Sequence, residues 1–261
     1  MKLLFIGDVV GSPGRRGLAA AMPGLKERFV PDLTVVNGEN AAGGMGITEK
    51  TARNIFDNGA DVITLGNHSY RHRDAYGFLD NAERVIRPAN YRKANPGKGH
   101  VIVEAGPDDM RVAIVNLSGT VGLRAARSPF DEADALVAEL DGQADAIFVD
   151  FHAEVTSEKV ALGWYLDGQV AAVCGTHTHV PTADGRVLPG GTAFISDVGM
   201  TGPRTSVLGV KMEQAIERMR TDMPVRFETA TEDVWVMGAA IEINSSGLAD
   251  SIEPFMVPTN A

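Results

Sequence analysis

Residues 3–8 read LLFIGD: four consecutive apolar residues, then Gly7 and Asp8. A short unbroken apolar run closed by a turn residue is the pattern of a strand buried on both faces. The pattern recurs along the chain. Residues 33–36 lead into Gly38-Glu39-Asn40, and residues 62–65 into Gly66-Asn67-His68. Residues 146–151 end at His152, and residues 170–174 lead into Gly175-Thr176-His177-Thr178-His179. Between the first three runs, residues 15–29 and 48–58 carry helical patterning. Pro23 marks a kink or break in the first helix, and Thr48 caps the second. A short helix over 74–81 follows. This β-α-β-α-β order predicts an α/β fold with a parallel sheet and right-handed crossovers.

Further strands are expected over 101–103, 112–117 and 234–243, and helices over 130–140, 157–165 and 211–220. No Pro/Ser/Gly-rich linker, internal repeat or low-complexity tract divides the chain. A single domain over residues 1–261 is the simplest expectation.

Composition narrows the function. The 261 residues are 44% hydrophobic and 22% charged, as in an ordinary globular protein. The formal charge is -10, with no long basic run, which argues against stable binding of duplex nucleic acid. An acidic chain can still take small phosphorylated substrates, because bound cations supply positive charge locally. Cys174 is the sole cysteine, so no disulfide forms within the chain; with no signal segment or membrane span, a cytoplasmic protein is expected.

The polar residues gather where chemistry is expected. In open α/β sheets, ligands bind beyond the carboxyl ends of the parallel strands. Asp8, Glu39, Asn40, Asn67, His152, His177 and His179 all follow apparent strands. A glycine before most of them lets the backbone turn without a Cβ penalty. Carboxylate, amide and imidazole donors together suit Mn²⁺, Fe²⁺ or Zn²⁺. Each element alone is weak, since an Asp after a strand is commonly a turn residue. The conjunction of five strand ends points to a metal centre. Asp150 and Glu154, flanking His152, are candidates to orient a ligand imidazole.

The loop 41–46, AAGGMG, reads equally as a phosphate cradle or a flexible connector. Arg71, His72 and Arg73 read as a solvated cluster, with phosphate steering as the alternative. Residues 197–203 are another glycine-rich strand exit that could reach the same rim, unless Asp197 is only a turn residue. Cys174 reads as a buried inert thiol.

The motif order resembles the calcineurin-like metallophosphoesterases. The closer likeness is to their YmdB-like branch. It is carried by FIGDVVGSPGRR, VVNGENAAGGMGIT, TLGNHSY, RPANY, VDFHAE, GTHTHVPTAD and SDVGMTGP, across residues 1–209. Val10 stands where the wider superfamily has a histidine, and Glu39-Asn40 where it has an aspartate; both departures match the branch.

The resemblance implies a four-layer α/β/β/α sandwich of two mixed sheets flanked by helices. It implies two divalent or transition-metal ions per chain, iron first, with manganese, zinc or magnesium as alternatives. One ion would be held by Asp8, Glu39, Asn40 and His179. The other would be held by Glu39, Asn67, His152 and His177. It implies hydrolysis of nucleoside 2′,3′-cyclic or 3′,5′-cyclic phosphates by a hydroxide bridging the metals. His68, next to ligand Asn67, is the expected proton donor to the leaving oxygen. The expected partner is a small phosphodiester, with no membrane; a homo-oligomer is compatible with the sequence. A phosphomonoesterase, a nuclease or a non-catalytic metal or nucleotide regulator would use the same ligands.

Overall fold

The computed structural model describes residues 1–259. Its first half runs β1 (Lys2–Ile6), β2 (Asp8–Val9), α1 (Gly11–Phe29), β3 (Leu33–Asn37), α2 (Glu49–Asp57), β4 (Val62–Thr64), α3 (Ala75–Asn81) and β5 (Val85–Ile86). It continues with β6 (His100–Ala105), β7 (Met110–Ser118), α4 (Pro129–Leu140), β8 (Ala146–His152), α5 (Thr156–Tyr165), β9 (Ala172–Thr176), β10 (Arg186–Val187) and β11 (Ala193–Ile195). The last stretch is β12 (Met200–Pro203), α6 (Met212–Thr221), β13 (Val234–Ile243) and β14 (Ala249–Pro258).

Two mixed sheets result. In the first, β1, β3, β4 and β5 lie parallel, while β13 runs antiparallel to β1 and extends the sheet to β12 and β14. In the second, β7, β8, β9 and β11 are parallel, edged by antiparallel β6 and β10.

Because the parallel strands are apolar on both faces, each sheet needs cover on both sides. One face of each meets the other sheet. Phe5 of β1 and Phe148 of β8 are fully buried there, edge to face with centroids 4.9 Å apart. The outer face of the first sheet packs on α1 and α2 through Leu18, Leu25, Ala52 and Ile55. The outer face of the second packs on α4 and α5 through Leu136 and Leu162. The layers are therefore α/β/β/α, the calcineurin-like arrangement.

Local readings need small corrections. The first helix begins at Gly11, four residues before its expected start, and runs through Pro23 without interruption. Its buried face, with Leu18, Met22 and Leu25, holds it to the sheet on both sides of the proline. The strand expected over 170–174 is displaced to Ala172–Thr176, because parallel pairing with Phe148–His152 sets its register. Gly175 and Thr176 thus belong to the strand rather than to the turn after it. Among the described residues, no helix is long and apolar enough to cross a membrane.

Candidate metal centre

The carboxyl ends of the parallel strands in both sheets open onto one place. Asp8 begins β2 directly after β1, and Glu39 and Asn40 lie in the turn after β3. Asn67 and His68 follow β4. His152 is the last residue of β8, and His177 and His179 follow β9. Asp8, Glu39 and His152 are wholly buried, and Asn40 nearly so.

Glu39, His152 and His177 each offer a ligand atom, all within 4.8 Å of one another. Asn67 Oδ1 joins them, 2.9 Å from His152 Nε2, while His177 Nδ1 is 3.1 Å and Glu39 Oε1 3.2 Å from the same nitrogen. Beside this group, His179 Nε2 lies 3.8 Å from Asp8 Oδ1 and 3.1 Å from Asn40 Nδ2. His68 Nδ1 lies 2.8 Å from Asn40 Oδ1 and 3.2 Å from Glu39 Oε1.

The three histidines turn one nitrogen inward and commit the other. His152 Nδ1–H donates to Thr176 Oγ1 at 2.9 Å, and that hydroxyl donates to Asp150 Oδ1 at 2.7 Å. His177 Nε2 meets the Glu154 carboxylate at 2.9 Å. His179 Nδ1–H donates to the Leu208 carbonyl at 3.1 Å. Outer partners of this kind leave the inward nitrogen of a neutral ring as a lone-pair donor, as metal-binding imidazoles require; His152 must first lose a proton to offer it. Asp150 and Glu154 both serve as orienting groups, the former through Thr176.

Two carboxylate oxygens point into the same space. Asp8 Oδ1 and Glu39 Oε1 are buried without hydrogen-bond partners. Glu39 Oε1 is close to two imidazole nitrogens but out of line for a hydrogen bond. Unsatisfied buried carboxylate oxygens among inward-facing imidazoles are what a cation fits.

Burial and mutual proximity shift the titration of these groups. Burial pushes Asp8 up, against the pull of His179 and His152. Burial also opposes ionisation of Glu39, but His152 and His68 outweigh it and hold Glu39 well below the usual range. Burial alone would lower His152; the Glu39, Asp8 and Asp150 carboxylates override it and push His152 up to about 9. His177 falls to about 3, through burial and then its neighbour His152.

The glycines act differently from expectation. None of Gly7, Gly38, Gly66 and Gly175 has a positive φ. They permit close approach instead: a Cβ on Gly66 would overlap the His152 ring and the Glu39 carboxylate, and one on Gly175 would overlap the Ser196 carbonyl. The left-handed positions belong to the histidines themselves, His177 at φ 92° and His179 at φ 64°. Such backbone costs about 1–3 kcal/mol per residue and concentrates at functional sites.

Comparison with known proteins establishes the family. The family model described as YmdB-like protein matches residues 4–255. The chain belongs to the YmdB-like family. One relative, from Bacillus subtilis (strain 168), bears the name 2′,3′-cyclic-nucleotide 2′-phosphodiesterase. It is 48% identical over 94% of this chain and 92% of its own length. A solved structure of a novel phosphatase from Mycoplasma pneumoniae superposes with a TM-score of 0.93 at 33% identity, covering 99% of this chain and 94% of that one. A 5′-nucleotidase structure from Staphylococcus aureus, at 16% identity, shares the fold with a TM-score of 0.60; it covers 99% of this chain and 54% of that one.

What holds the two strained histidines in this YmdB-like chain is a pair absent from the sequence reading. Lys159 of α5 and Asp197, both almost fully buried, pair at 2.8 Å. Asp197 Oδ2 also accepts from the Thr178 backbone N–H at 3.1 Å and its hydroxyl at 2.7 Å. Thr178 sits between His177 and His179, so Asp197 grips the segment at its middle. Asp197 is therefore no simple turn residue. It follows the apolar strand β11 as the other site residues follow theirs, and that pattern was the available signal. His72 likewise has a structural contact, its Nε2–H donating to the Met45 carbonyl at 2.9 Å and bracing the glycine loop.

Two outcomes follow from these contacts. Lys159→Met strands the buried Asp197 charge, which costs about 3–5 kcal/mol of stability. Loosening the histidine segment should weaken metal binding by about 10–100-fold, measured by chelator competition; unchanged affinity would remove Lys159 from the account. The second concerns protons. The raised His152 value means that its charged form stabilises the metal-free fold fully below pH 6.5, and that this contribution is lost as pH rises through about 9. A metal needs the neutral ring, so loading at pH 7 should release about one proton from His152, and none well above pH 9. Calorimetry in buffers of different ionisation enthalpy measures the release, and a pH-independent value would contradict the charge assignment.

Proposed function

We propose that this chain is a dimetal-dependent phosphodiesterase acting on nucleoside cyclic phosphates, with the 2′,3′-cyclic ring as its principal substrate. The supporting observation is the set of inward-turned imidazoles of His152, His177 and His179 around the unpartnered oxygens of Asp8 and Glu39. The name of the relative at 48% identity supports the substrate class. Membership of the family makes the chain a phosphoric ester hydrolase; the cyclic substrate and the two-metal chemistry are the further step.

In this reading Asp8, Glu39, Asn40 and His179 would hold one cation, and Glu39, Asn67, His152 and His177 would hold the other. When bound, such a pair lowers the pKa of water and neutralises charge building on the phosphate. The protein's own residues do the rest. Glu39 sits at the centre, its Oε2 accepting from the His68 backbone N–H at 3.1 Å, which ties the proton donor to the ligand set.

His68 is the proposed donor of a proton to the leaving ribose oxygen. Both oxygens facing its Nδ1, from Asn40 and Glu39, are acceptors, so Nδ1 carries a hydrogen. Its Nε2 has no hydrogen-bond partner among the described residues. In the protonated ring, Nε2 holds the second hydrogen and passes it to the alkoxide as the P–O bond breaks. The His68 side chain is 28% exposed, open enough to meet a substrate.

The test is turnover of 2′,3′-cyclic AMP by protein loaded with iron, manganese, zinc or magnesium in turn, with 3′,5′-cyclic AMP and a phosphomonoester alongside. His68→Asn should lower kcat by about 100-fold while elemental analysis finds the wild-type metal content. Undiminished kcat would sink the proton-donor role, and cleavage of only the monoester would replace the diesterase reading with a phosphomonoesterase.

A further inference from the structure

A cavity of about 550 Å³ opens beside the centre, with Asn67 in its wall. The size falls within the range of small-ligand sites. Its lining also includes Tyr70, Tyr91, Arg92, Asn95 and Arg124, and no carboxylate. In a chain of net charge -10, a cavity with two guanidiniums and no acid is a local reversal of sign. Neither guanidinium is in an ion pair among the described residues. Arg127 nearby is spent internally, on Glu132 at 2.8 Å and on the Ala89 carbonyl.

The two arginines sit on separate loops that are tied together in advance. Arg124 lies near the tip of the segment 119–128. At the segment's start, Glu158 accepts from the Thr120 N–H at 2.8 Å, the Thr120 hydroxyl at 2.9 Å and the Val121 N–H at 3.4 Å. At its end, the N–H groups of Ala126 and Arg127 both donate to the Asn90 carbonyl at 3.2 Å, and Asn90 Nδ2 donates to the Arg127 carbonyl at 3.1 Å. Asn90 is fully buried and stands two residues before Arg92. One asparagine therefore sets both cationic loops around the cavity.

We propose that Arg92 and Arg124 bind a second phosphate of the substrate, on the 5′ side of the nucleoside whose cyclic phosphate is opened at the metal centre. The inference rests on the phosphodiesterase reading above. A planar, permanently charged guanidinium suits phosphate oxygens, and two of them make a site selective for a phosphate over a neutral 5′-hydroxyl. Tyr70 and Tyr91, with ring centroids 6.1 Å apart, give the cavity an aromatic wall for the nucleoside. The substrate is then a nucleoside 2′,3′-cyclic phosphate that also carries a 5′-phosphate, or a short oligoribonucleotide ending in the cyclic group.

The test compares kcat/KM of the metal-loaded full chain on three substrates: adenosine 2′,3′-cyclic phosphate, its 5′-phosphorylated form, and the ApA dinucleotide ending in a 2′,3′-cyclic phosphate. At least one second-phosphate substrate should be preferred by about tenfold, and the preference should shrink with salt. A preference for the 5′-phosphorylated mononucleotide identifies a terminal phosphate as the ligand; one for the dinucleotide identifies an internal diester. In the double variant Arg92→Ala/Arg124→Ala the ratio should collapse towards one. A binding measurement runs in parallel: adenosine 3′,5′-bisphosphate should bind wild type more tightly than adenosine 3′-phosphate by a similar factor, and the double variant should bind them alike. Turnover without any preference, or a preference that survives in the double variant, overturns this inference alone. Absence of turnover on all three overturns the phosphodiesterase reading and this inference with it.

Discussion

Two buried carboxylates govern this structure. Asp8 and Glu39 have no exposed surface, and each has an oxygen with no hydrogen-bond partner. An ionised carboxylate removed from water costs several kcal/mol unless positive charge and donors face it. The surrounding residues answer that requirement. His152 is driven towards its charged form, the backbone N–H of His177 donates to Asp8 Oδ2 at 3.2 Å, and three imidazoles present a nitrogen to the same space. Bound cations, as proposed above, would meet the same demand and would couple the stability of the centre to their binding.

The sandwich is the means of assembling such a group. His177 and Asp8 are 169 residues apart in sequence, and they meet because each follows a parallel strand in a different sheet. Burial of Phe5 against Phe148 locks the sheets face to face, which aligns their carboxyl ends. Strain in the histidine segment is the local cost. Asp197 offsets it with two hydrogen bonds to Thr178, and Lys159 pairs with Asp197 in the buried interior. The neighbouring loops, tied through Asn90, add positive charge at the cavity beside the centre.

Much of this was legible in the sequence, for a physical reason. A buried parallel strand is a continuous apolar run, and a ligand at its end is adjacent in sequence, so LLFIGD or the turn Gly66-Asn67-His68 carries its meaning locally. The eight residues singled out this way do meet in space. Register was less legible: residues 170–176 are apolar or small throughout, and only pairing with β8 decides that the strand ends at Thr176. The glycines before the ligands looked like turn formers, but their need for a missing Cβ comes from atoms far away in sequence. Asp197 ends an apolar strand as the other site residues do, but Lys159 is 38 residues away and nothing local to it announces their pairing. The two-residue strand β2, paired with β12, is likewise set by the tertiary fold rather than by propensity.

The central claim is that these side chains hold two cations that share Glu39. Anomalous diffraction from crystals of the manganese- or iron-loaded protein, collected at the metal's absorption edge, tests it directly. The account predicts two anomalous peaks about 3.5–4 Å apart, one against Asp8, Asn40 and His179, the other against Asn67, His152 and His177, with Glu39 between them. A single peak at full loading, or peaks away from Glu39, would contradict it.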